Sequence, residues 1–325
     1  MQKNKPHSII ETELRARIDN VQEFRDRLKR ARAHLVSMHI MRDFLFDTAE
    51  KTLTNRKQKL RLRIYDNSRT VMSWKEKKHG ASQYKEEYEH EVEIGDFETM
   101  RRIFEGLGYG LVRRVDRRVE IYHWRHVIIR IEFFPAMDVL AEIEGPKAEL
   151  EQVIRELGLT RSMFFGKGQE FFFEAYQKRT GQKPRTFYEK EGFSRSVGAV
   201  VLNERNHVLI VFQKKSQYWE FPKGKVDRGE SDLETLRREI REETGITKYK
   251  LLPGFAQPMY FDFVLNSRTL VHREVTFYLL KTSQLPVISK EHTAMKWVKL
   301  AVVKRYLVHP NQRKLIDYLK YYLAK

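Results

Sequence analysis

The sequence contains no cysteine among its 325 residues. Disulfide bonds, thiolate nucleophiles and zinc-thiolate sites are therefore excluded, and this composition fits the reducing cytoplasm. The start lacks the apolar segment of a signal peptide and no apolar run reaches membrane-spanning length, so we expect a cytoplasmic protein without a membrane partner. No long low-complexity tract interrupts the chain, and its ordinary apolar content predicts packed domains.

Acidic residues are too few to balance the basic ones. Lysine and arginine number 62 against 44 aspartates and glutamates, which gives a formal net charge of +18. Such an excess indicates a polyanionic partner such as nucleotide phosphates, polyphosphate or RNA, although a basic surface without a partner gives the same count. The sequence leaves the oligomeric state open.

The chain is long enough for two domains. Apolar periodicity lapses around residues 176–196, where Gly, Pro, Lys and Arg accumulate. We therefore expect a first domain over residues 1–178, a linker over 179–194 and a second domain over 195–325. Short apolar strands and a helix from about Ser231 to Thr244 predict an α+β or α/β/α arrangement for the second domain.

Three carboxylates share one arc of that helix: Glu239, Glu242 and Glu243. They repel one another unless a cation screens them, and hard oxygen ligands select Mg²⁺ or Mn²⁺. Glu230 precedes the helix and can join the cluster. Arg238 can pair with an acid one turn away or hold a metal-binding carboxylate in position. The sequence therefore predicts a divalent-metal site on this helix.

The spacing from Gly224 to Ile246 matches every fixed position of the Nudix box, G-x5-E-x7-R-E-U-x-E-E-x-G-U with U aliphatic. The second domain thus resembles a Nudix hydrolase, which implies cleavage of a nucleoside diphosphate linked to another group by a metal-activated water. The metal ligands that the resemblance implies are Glu239, Glu242 and Glu243, assisted by Glu230 and the Gly224 carbonyl.

The general base varies among Nudix hydrolases, and two residues here are candidates. Glu242 belongs to the box, whereas Glu291 lies where some relatives carry a loop glutamate. A solvated loop position explains Glu291 equally well. Together with Glu239 and Arg238, these residues form the expected catalytic set.

The run "YWEFPKGKVDRGE" around the box resembles the asymmetric diadenosine tetraphosphate hydrolases, and also RNA pyrophosphohydrolases and diphosphoinositol polyphosphate hydrolases. The resemblance implies that Lys223 contacts a phosphate, that Tyr260 stacks on a base and that Arg273 lies near the place of a phosphate-binding lysine. For Tyr260, packing in the core is the stronger alternative. The favoured substrate is diadenosine tetraphosphate, cleaved to ATP and AMP.

In the first half, charged residues recur at every second position of several segments, which is the strand pattern. In "IETELRARI", for example, Glu11, Glu13 and Arg15 share one face. A one-sided solvated sheet gives the same alternation. Helices are expected at residues 20–35, 96–109 and 147–158. Closing the sheet into a barrel would create a tunnel lined by cations and carboxylates, which is costly unless an ionic ligand such as a metal-bound triphosphate occupies it.

This arrangement resembles the CYTH domain, the triphosphate tunnel fold of class IV adenylyl cyclases, thiamine triphosphatases and inorganic triphosphatases, over roughly residues 8–178. Its E-x-E-x-K hallmark is present as Glu11-Thr12-Glu13-Leu14-Arg15, where arginine replaces lysine. The resemblance implies metal binding by Glu11, Glu13, Glu142 and Glu144. It implies phosphate binding by Arg15, Arg61, Arg63, Lys75, Arg117 and Arg118.

The whole chain is thus expected to be α+β, with an N-terminal antiparallel β-barrel tunnel and a C-terminal α/β/α Nudix sandwich. We expect a two-domain phosphohydrolase whose tunnel accounts for much of the basic charge. The tunnel residues do not distinguish a cyclase, a triphosphatase and a non-catalytic nucleotide or polyphosphate sensor. An enzyme acting on RNA 5′ ends is a further alternative.

Overall fold

The computed structural model describes residues 9–214, 217–266 and 268–324. The chain divides into two compact units, of which the first reaches Lys190 and includes Val264–Thr269, and the second comprises Glu191–Phe263 and the residues from Leu270 onward. In the described ranges, no helix is both long and apolar enough to cross a bilayer.

Antiparallel strands of the first unit close into a barrel. These strands are β1 (Ile9–Ile18), β2 (His34–Asp47), β3 (Gln58–Tyr65), β4 (Arg69–Lys77), β5 (Lys85–Ile94), β6 (Gly110–Trp124), β7 (Val127–Phe133) and β8 (Val139–Glu144). Their order around the barrel is β1-β5-β4-β3-β2-β6-β7-β8, and β1 closes it by pairing with both β5 and β8. The closed barrel confirms the fold expected from the alternating charges.

Helices cover part of the outer face of this barrel. They are α1 (Val21–Arg30), α2 (Thr52–Asn55), α3 (Phe97–Gly106), α4 (Lys147–Glu156) and α5 (Gln169–Thr180). Because successive strand residues point to opposite faces, Leu14 and Ala16 enter a core with Phe24 of α1 and Leu150 of α4. The charged residues between them face the barrel interior, which separates an apolar outer core from an ionic inner wall.

The expected linker at residues 179–194 is only partly a linker. After α5 the chain returns to the barrel, where the Thr186 carbonyl accepts a hydrogen bond from Asp116 N at 2.6 Å. The Tyr188 amide donates to the Asp116 carboxylate at 3.0 Å, and the Tyr188 ring is buried. The next strand begins at Lys190. Composition alone indicates a loop here, but the aromatic ring and these backbone bonds hold that loop against the barrel.

The second unit is a seven-stranded sheet with two helices in its described part. Its strands are β9 (Lys190–Leu202), β10 (His207–Gln213), β11 (Trp219–Glu220), β12 (Lys223–Lys225), β13 (Lys250–Asn266), β14 (Thr269–Lys281) and β15 (His292–Lys299), and its helices are α6 (Asp232–Thr244) and α7 (Pro310–Leu323). The main path runs β11-β10-β9-β14-β13, with β12 paired to β9 and β15 paired to β10.

The two helices cover opposite faces of this sheet. Leu236 and Ile240 of α6 pack with one set of alternate β9 residues, and Leu315 and Ile316 of α7 pack with the other set. This α/β/α arrangement confirms the expected fold of the second domain. It also leaves the acidic arc of α6 at the edge of a packed core.

Candidate functional site

A cavity of about 530 Å³ lies inside the barrel of the first unit. The basic residues that line it are Arg15, Lys59, Arg61, Arg63, Lys75, Lys85, Arg117 and Arg130. The acidic residues that line it are Glu11, Glu13, Asp43, Glu87, Glu89, Glu91, Glu142, Glu144 and Glu170. A wall that carries both signs of charge can hold phosphate oxygens and a divalent cation side by side.

The charges of this cavity are paired with one another. Arg15 Nη1 donates to Glu13 Oε1 at 2.6 Å, and Arg15 Nη2 donates to Glu142. Lys85 Nζ lies 2.8 Å from Glu13 and 2.7 Å from Glu87. A phosphate group would displace carboxylates from these cations, and a metal ion could then take up the displaced carboxylates.

Three arginines converge on one buried carboxylate. Asp43 lies 2.6 Å from Arg63 Nε, 3.0 Å from Arg117 Nη1 and 3.7 Å from Arg61 Nη1. Burial raises the pKa of Asp43, but the three guanidinium groups outweigh burial and hold this pKa well below its usual value of 3.8. Asp43 therefore stays ionised and fixes three phosphate-binding candidates beside one another.

The two acidic residues at the end of β8 differ in proton affinity. Burial raises the pKa of both, but Arg15 and Arg130 bring the pKa of Glu142 well below its usual value. The pKa of Glu144 remains raised, because burial and the charges of Glu11 and Glu142 together exceed the effect of Arg130. Arg130 Nη1 lies 2.6 Å from Glu142 and 2.5 Å from Glu144.

Most of the predicted tunnel residues do line the cavity: Glu11, Glu13, Glu142, Glu144, Arg15, Arg61, Arg63, Lys75 and Arg117. Arg118 does not. Arg118 follows Arg117 in β6, so its side chain lies on the opposite face of the strand, where it pairs with Glu120 at 2.6 Å. Its guanidinium group lies 3.7 Å from the Phe133 ring centroid. The expectation that Arg118 binds phosphate in the tunnel is therefore wrong.

Sequence reasoning did not assign a binding role to several cavity residues. Lys59 and Lys85 were detectable, because each stands two positions before a residue of the same strand that faces inward. Arg130 shares the alternation of β7. By contrast, Gln169 and Glu170 come from the start of α5, and no sequence periodicity relates that helix to the barrel interior.

The helix α6 begins and ends at clear local signals. Ser231 caps its start and forms a capping box with Glu234, in which each side chain accepts from the backbone N–H of the other residue. Gly245 ends the helix in the left-handed region with φ 66°. These signals fix which turn of the helix presents Glu239, Glu242 and Glu243.

Arg238 binds several acids of the box. Its Nε and Nη2 each lie 2.8 Å from the Glu230 carboxylate, and its Nη1 lies 2.5 Å from Glu239. Glu242 is exposed and lies 3.4 Å from the same Nη1. The hydrogen bonds from Arg238 and from Thr235 lower the pKa of Glu230 to about 2. Arg238 is thus a positioning residue for Glu230 and Glu239.

Glu239 rests directly against Gly224, because a Cβ built at Gly224 would overlap the Glu239 carboxylate. Burial raises the pKa of Glu239 above its usual value, and the charges of Glu242 and Glu291 raise it further. The absence of a side chain at Gly224 is therefore a steric requirement for this carboxylate position.

Glu243 lies deeper, with 6% of its surface exposed. Burial, followed by the charges of Glu220 and Glu239, raises its pKa to about 8 despite the opposing effect of Lys223. Its carboxylate accepts the Lys223 backbone N–H at 2.9 Å. A divalent cation would relieve this clustering of negative charge, so the donor set fits Mg²⁺ or Mn²⁺.

In the described residues, no three acidic or histidine side chains already converge in a geometry that could hold a metal ion. The physical reason is visible on α6, where Arg238 binds Glu230 and Glu239 and the backbone of Lys223 binds Glu243. The fit of the site to a metal therefore rests on its oxygen donors and their mutual repulsion. The metal-ligand roles of these residues stay predictions.

Of the three residues predicted to contact the substrate, two are already paired with other side chains and the third is exposed. Lys223 Nζ pairs with Glu220 at 2.7 Å, and Arg273 Nε donates to Ser194 Oγ at 3.0 Å. The Tyr260 side chain is 43% exposed, so the core-packing alternative for this residue is wrong. Its stacking role stays a prediction.

Glu291 is exposed on the loop before β15, and its charge raises the pKa of Glu239. The loop is fastened by the neighbouring histidine: His292 Nδ1 lies 2.8 Å from Ser289 Oγ, and His292 Nε2 lies 3.1 Å from Gln213 Nε2. The Glu291 amide also donates to Ser289 Oγ at 3.3 Å. Its location within electrostatic reach of the carboxylate cluster is compatible with the expected base role.

Comparison with known families decides the assignment. The family model described as CYTH domain matches residues 10–160, and that described as NUDIX domain matches residues 192–319. The chain contains a CYTH domain followed by a NUDIX domain. The NUDIX domain makes the protein an enzyme of the Nudix hydrolase type.

Individual relatives match parts of this chain. The RNA pyrophosphohydrolase of Bartonella bacilliformis is 28% identical over 141 residues, which are 36% of this chain and 83% of that protein. The asymmetrical bis(5′-nucleosyl)-tetraphosphatase of Mus musculus is 37% identical over 87 residues, or 26% of this chain and 56% of that protein. A solved structure from Pyrococcus horikoshii OT3 has 22% identity and a TM-score of 0.44, covering 50% of this chain and 98% of that chain.

Proposed function

We propose that the NUDIX domain hydrolyses a phosphoanhydride bond of a nucleoside polyphosphate, and that diadenosine tetraphosphate, cleaved to ATP and AMP, is its first substrate. The observation that carries this proposal is the α6 carboxylate cluster, in which Glu239 rests on Gly224 and Glu243 is buried beside it. The run around Lys223 resembles the diadenosine tetraphosphate hydrolases and supports the choice of substrate.

The oxygen donors available to Mg²⁺ or Mn²⁺ are Glu239, Glu242, Glu243, Glu230 and the Gly224 carbonyl. A divalent ion bound there would neutralise phosphate charge and lower the pKa of a water molecule. Arg238 holds two of these carboxylates in place. Glu242 and Glu291 are the candidates to accept the proton of the attacking water.

The substrate contacts follow from the residues beside the cluster. Lys223 and Arg273 supply positive charge for the phosphates that are not cleaved. Tyr260 offers an exposed ring on which one adenine can stack. These contacts would orient the polyphosphate chain across the carboxylates, which is the principal contribution of the protein to phosphoryl transfer.

The test is chromatographic product analysis with diadenosine tetraphosphate and Mg²⁺. The wild type should release ATP and AMP, and Glu242→Gln should lower kcat at least about 100-fold. Glu234→Gln is the matched control, because it removes one carboxylate of the same helix and glutamine also serves in a capping box. Equal loss in both variants, or no cleavage by the wild type, would refute the assignment.

We propose that the CYTH tunnel binds a triphosphate together with a divalent metal, by Glu11, Glu13, Glu142 and Glu144 on the metal and by the inward-facing basic residues on the phosphates. Calorimetry with tripolyphosphate and Mg²⁺ tests this. Arg63→Gln should weaken binding at least about tenfold, whereas Arg118→Gln, on the outer face, should not. Binding without turnover would make the tunnel a sensor, and turnover would make it a triphosphatase or a cyclase.

A second candidate substrate of the NUDIX domain is the phosphorylated 5′ end of RNA. The similarity to the Bartonella RNA pyrophosphohydrolase and the net charge of +18 favour it. Independently of the substrate, we propose domain bounds of residues 1–178 and 195–325, joined by residues 179–194, and a cytoplasmic location.

A further inference from the structure

A cavity of about 680 Å³ lies on the outer side of α6. Arg237 and Arg241, one helical turn apart, form one wall of it. Thr247, Tyr249 and Leu251 recur at every second position of the segment that follows the helix and form the other wall. We refer to this cavity as the α6 groove.

The α6 groove is lined by three arginines and one carboxylate, that of Glu234. Within the described ranges, Arg241 comes no closer than 3.9 Å to a carboxylate, that of Glu242, and Arg237 has none within 4.0 Å. Glu234 lies on the rim, but its carboxylate accepts the Ser231 N–H at 2.8 Å and the Ser231 hydroxyl at 2.7 Å. The two guanidinium groups are therefore available to an anionic ligand.

The geometry of the two arginines suits a chain of phosphates. Side chains four residues apart on a helix lie on the same side of it, with Cβ atoms about 5–6 Å apart. Arginine also binds phosphate through two parallel N–H bonds. One guanidinium group per phosphate is thus sterically reasonable along this wall.

The opposite wall offers a surface for bases. Tyr249 packs one part of its ring against the core beneath α6, and Leu251 is 38% exposed beside it. Aromatic side chains next to cations are the combination by which proteins bind single strands, because bases stack on rings whatever their identity. A simple anion such as inorganic phosphate has no base that could stack on this wall.

Glu239, Glu242 and Glu243 do not line the α6 groove, but Arg238 is a residue that this groove shares with their surroundings. Arg238 lines it and also donates to Glu230 at 2.8 Å and to Glu239 at 2.5 Å. A ligand with its terminal phosphates at the carboxylate cluster can therefore continue past Arg238 into the groove. A dinucleoside polyphosphate ends after one nucleoside, whereas a strand has further nucleotides to place there.

We propose that the α6 groove binds single-stranded RNA, with phosphates on Arg237 and Arg241 and a base on Tyr249, so that the nucleotides following a phosphorylated 5′ end lie along it. This inference rests on the function proposed for the NUDIX domain and names a class of substrate for it. It predicts a binding surface that diadenosine tetraphosphate does not use.

Fluorescence anisotropy of the full chain with a labelled RNA of about 12 nucleotides and a 5′ hydroxyl, in EDTA, tests binding without catalysis. Arg237→Gln/Arg241→Gln should weaken binding roughly tenfold near about 50 mM salt and reduce the slope of log K against log salt by about 1.4. The control Arg102→Gln/Arg205→Gln removes two exposed arginines elsewhere and should leave affinity and slope within error.

Tyr249→Ala should weaken the same binding without changing the slope, and Tyr249→Phe should restore it. Turnover assays distinguish this inference from the proposed function. The Arg237→Gln/Arg241→Gln variant should keep its kcat/KM for diadenosine tetraphosphate, whereas its kcat/KM for 5′-triphosphorylated RNA should fall. Equal RNA affinity in the wild type and the groove variant, or equal loss in the control, would overturn the groove. If the wild type does not cleave diadenosine tetraphosphate but still binds RNA through the groove, only the first proposed substrate is refuted.

Discussion

At the scale of single residues, Gly224 has the sharpest steric role in the NUDIX site. A Cβ at this position overlaps the far end of the Glu239 side chain, which can swing away at little cost. Gly224→Ala should therefore lower kcat about 100-fold, because the Glu239 carboxylate, which we propose as a metal ligand, is displaced by about 1 Å. The melting temperature should change by only a few degrees, roughly 4 °C at most. Kinetics and calorimetry on the same preparation check both parts.

Gly198 gives the matched control for this prediction. A Cβ there would lie 2.6 Å from the Pro222 carbonyl and 2.8 Å from the Phe277 ring, neither of which can move freely. Gly198→Ala should mainly lower stability, by about 1–3 kcal/mol. If Gly224→Ala melts as early as Gly198→Ala, or keeps full activity, the described contact with Glu239 is incorrect.

Asp43 predicts a dependence of stability on pH in the CYTH domain. Asp43→Asn should lower the free energy of unfolding by about 3–5 kcal/mol at pH 7, because buried guanidinium groups lose their anion. The folded-state pKa of Asp43 is depressed below 3.8, so its stabilisation is present above that value and is lost as pH falls toward the folded pKa. Urea denaturation should show a constant gap between variant and wild type from pH 7 to about pH 5. A gap that widens below pH 4 would contradict the sign.

Single residues also show where sequence reasoning is sufficient. Strand alternation placed Arg117 inside the barrel, and the same rule excludes its neighbour Arg118, although a resemblance by motif named both. The exposure of Tyr260 could not be read from the sequence, because Met259, Tyr260 and Phe261 are consecutive apolar residues without polar–apolar alternation. Sequence periodicity predicts which residues share one face of a strand, but not which of the two faces the tertiary structure buries.

At the scale of elements, α6 depends on its first turn. Ser231→Ala removes the N-cap and should destabilise the NUDIX domain by about 1 kcal/mol, whereas Ser231→Asp should retain the cap. Calorimetry of the full chain should show the shift in one transition only, since the two units have separate cores. An unchanged melting profile for Ser231→Ala would mean that tertiary packing alone fixes the helix start.

The loop that carries Glu291 gives a prediction about positioning. His292→Asn loosens the contacts to Ser289 and Gln213 and should lower kcat about tenfold with KM unchanged. If His292 acts through Glu291, adding His292→Asn to Glu291→Gln should cost nothing further. Multiplying effects in this double-mutant cycle would indicate instead that His292 acts through Glu243, whose carboxylate lies 3.8 Å from His292 Nε2. An unchanged melting temperature in both variants is the required control.

Helices and strands could be predicted where the hydrophobic periodicity of the sequence extends over many residues. The alternating strands of the first half and the helices α3, α4 and α6 follow from it, but the helix expected over residues 20–35 ends at Arg30. Arg32 adopts φ 61°, and Ala33 N–H bonds to the Leu28 carbonyl, which turns the chain into β2. A left-handed arginine leaves no signal in the sequence, since glycine and asparagine normally mark such positions.

At the scale of the whole molecule, the net charge of +18 needs a different explanation from the one expected. The tunnel is lined by about as many carboxylates as cations, and these are paired. Its ionic wall therefore contributes little to the excess, which must come from other residues such as Arg237 and Arg241. Composition predicts a polyanionic ligand class, but only the pairing of side chains shows which surfaces carry uncompensated charge.

We propose that the two domains carry two chemically separate phosphate sites. The most direct measurement is a pair of assays on the full chain, diadenosine tetraphosphate cleavage by mass spectrometry and tripolyphosphate binding by calorimetry, for Glu242→Gln and for Arg63→Gln. Glu242→Gln should lower kcat for cleavage at least about 100-fold while tripolyphosphate affinity stays within about twofold. Arg63→Gln should weaken tripolyphosphate binding at least about tenfold while cleavage stays within about twofold. A single variant that abolishes both activities, with both domains folded, would contradict it.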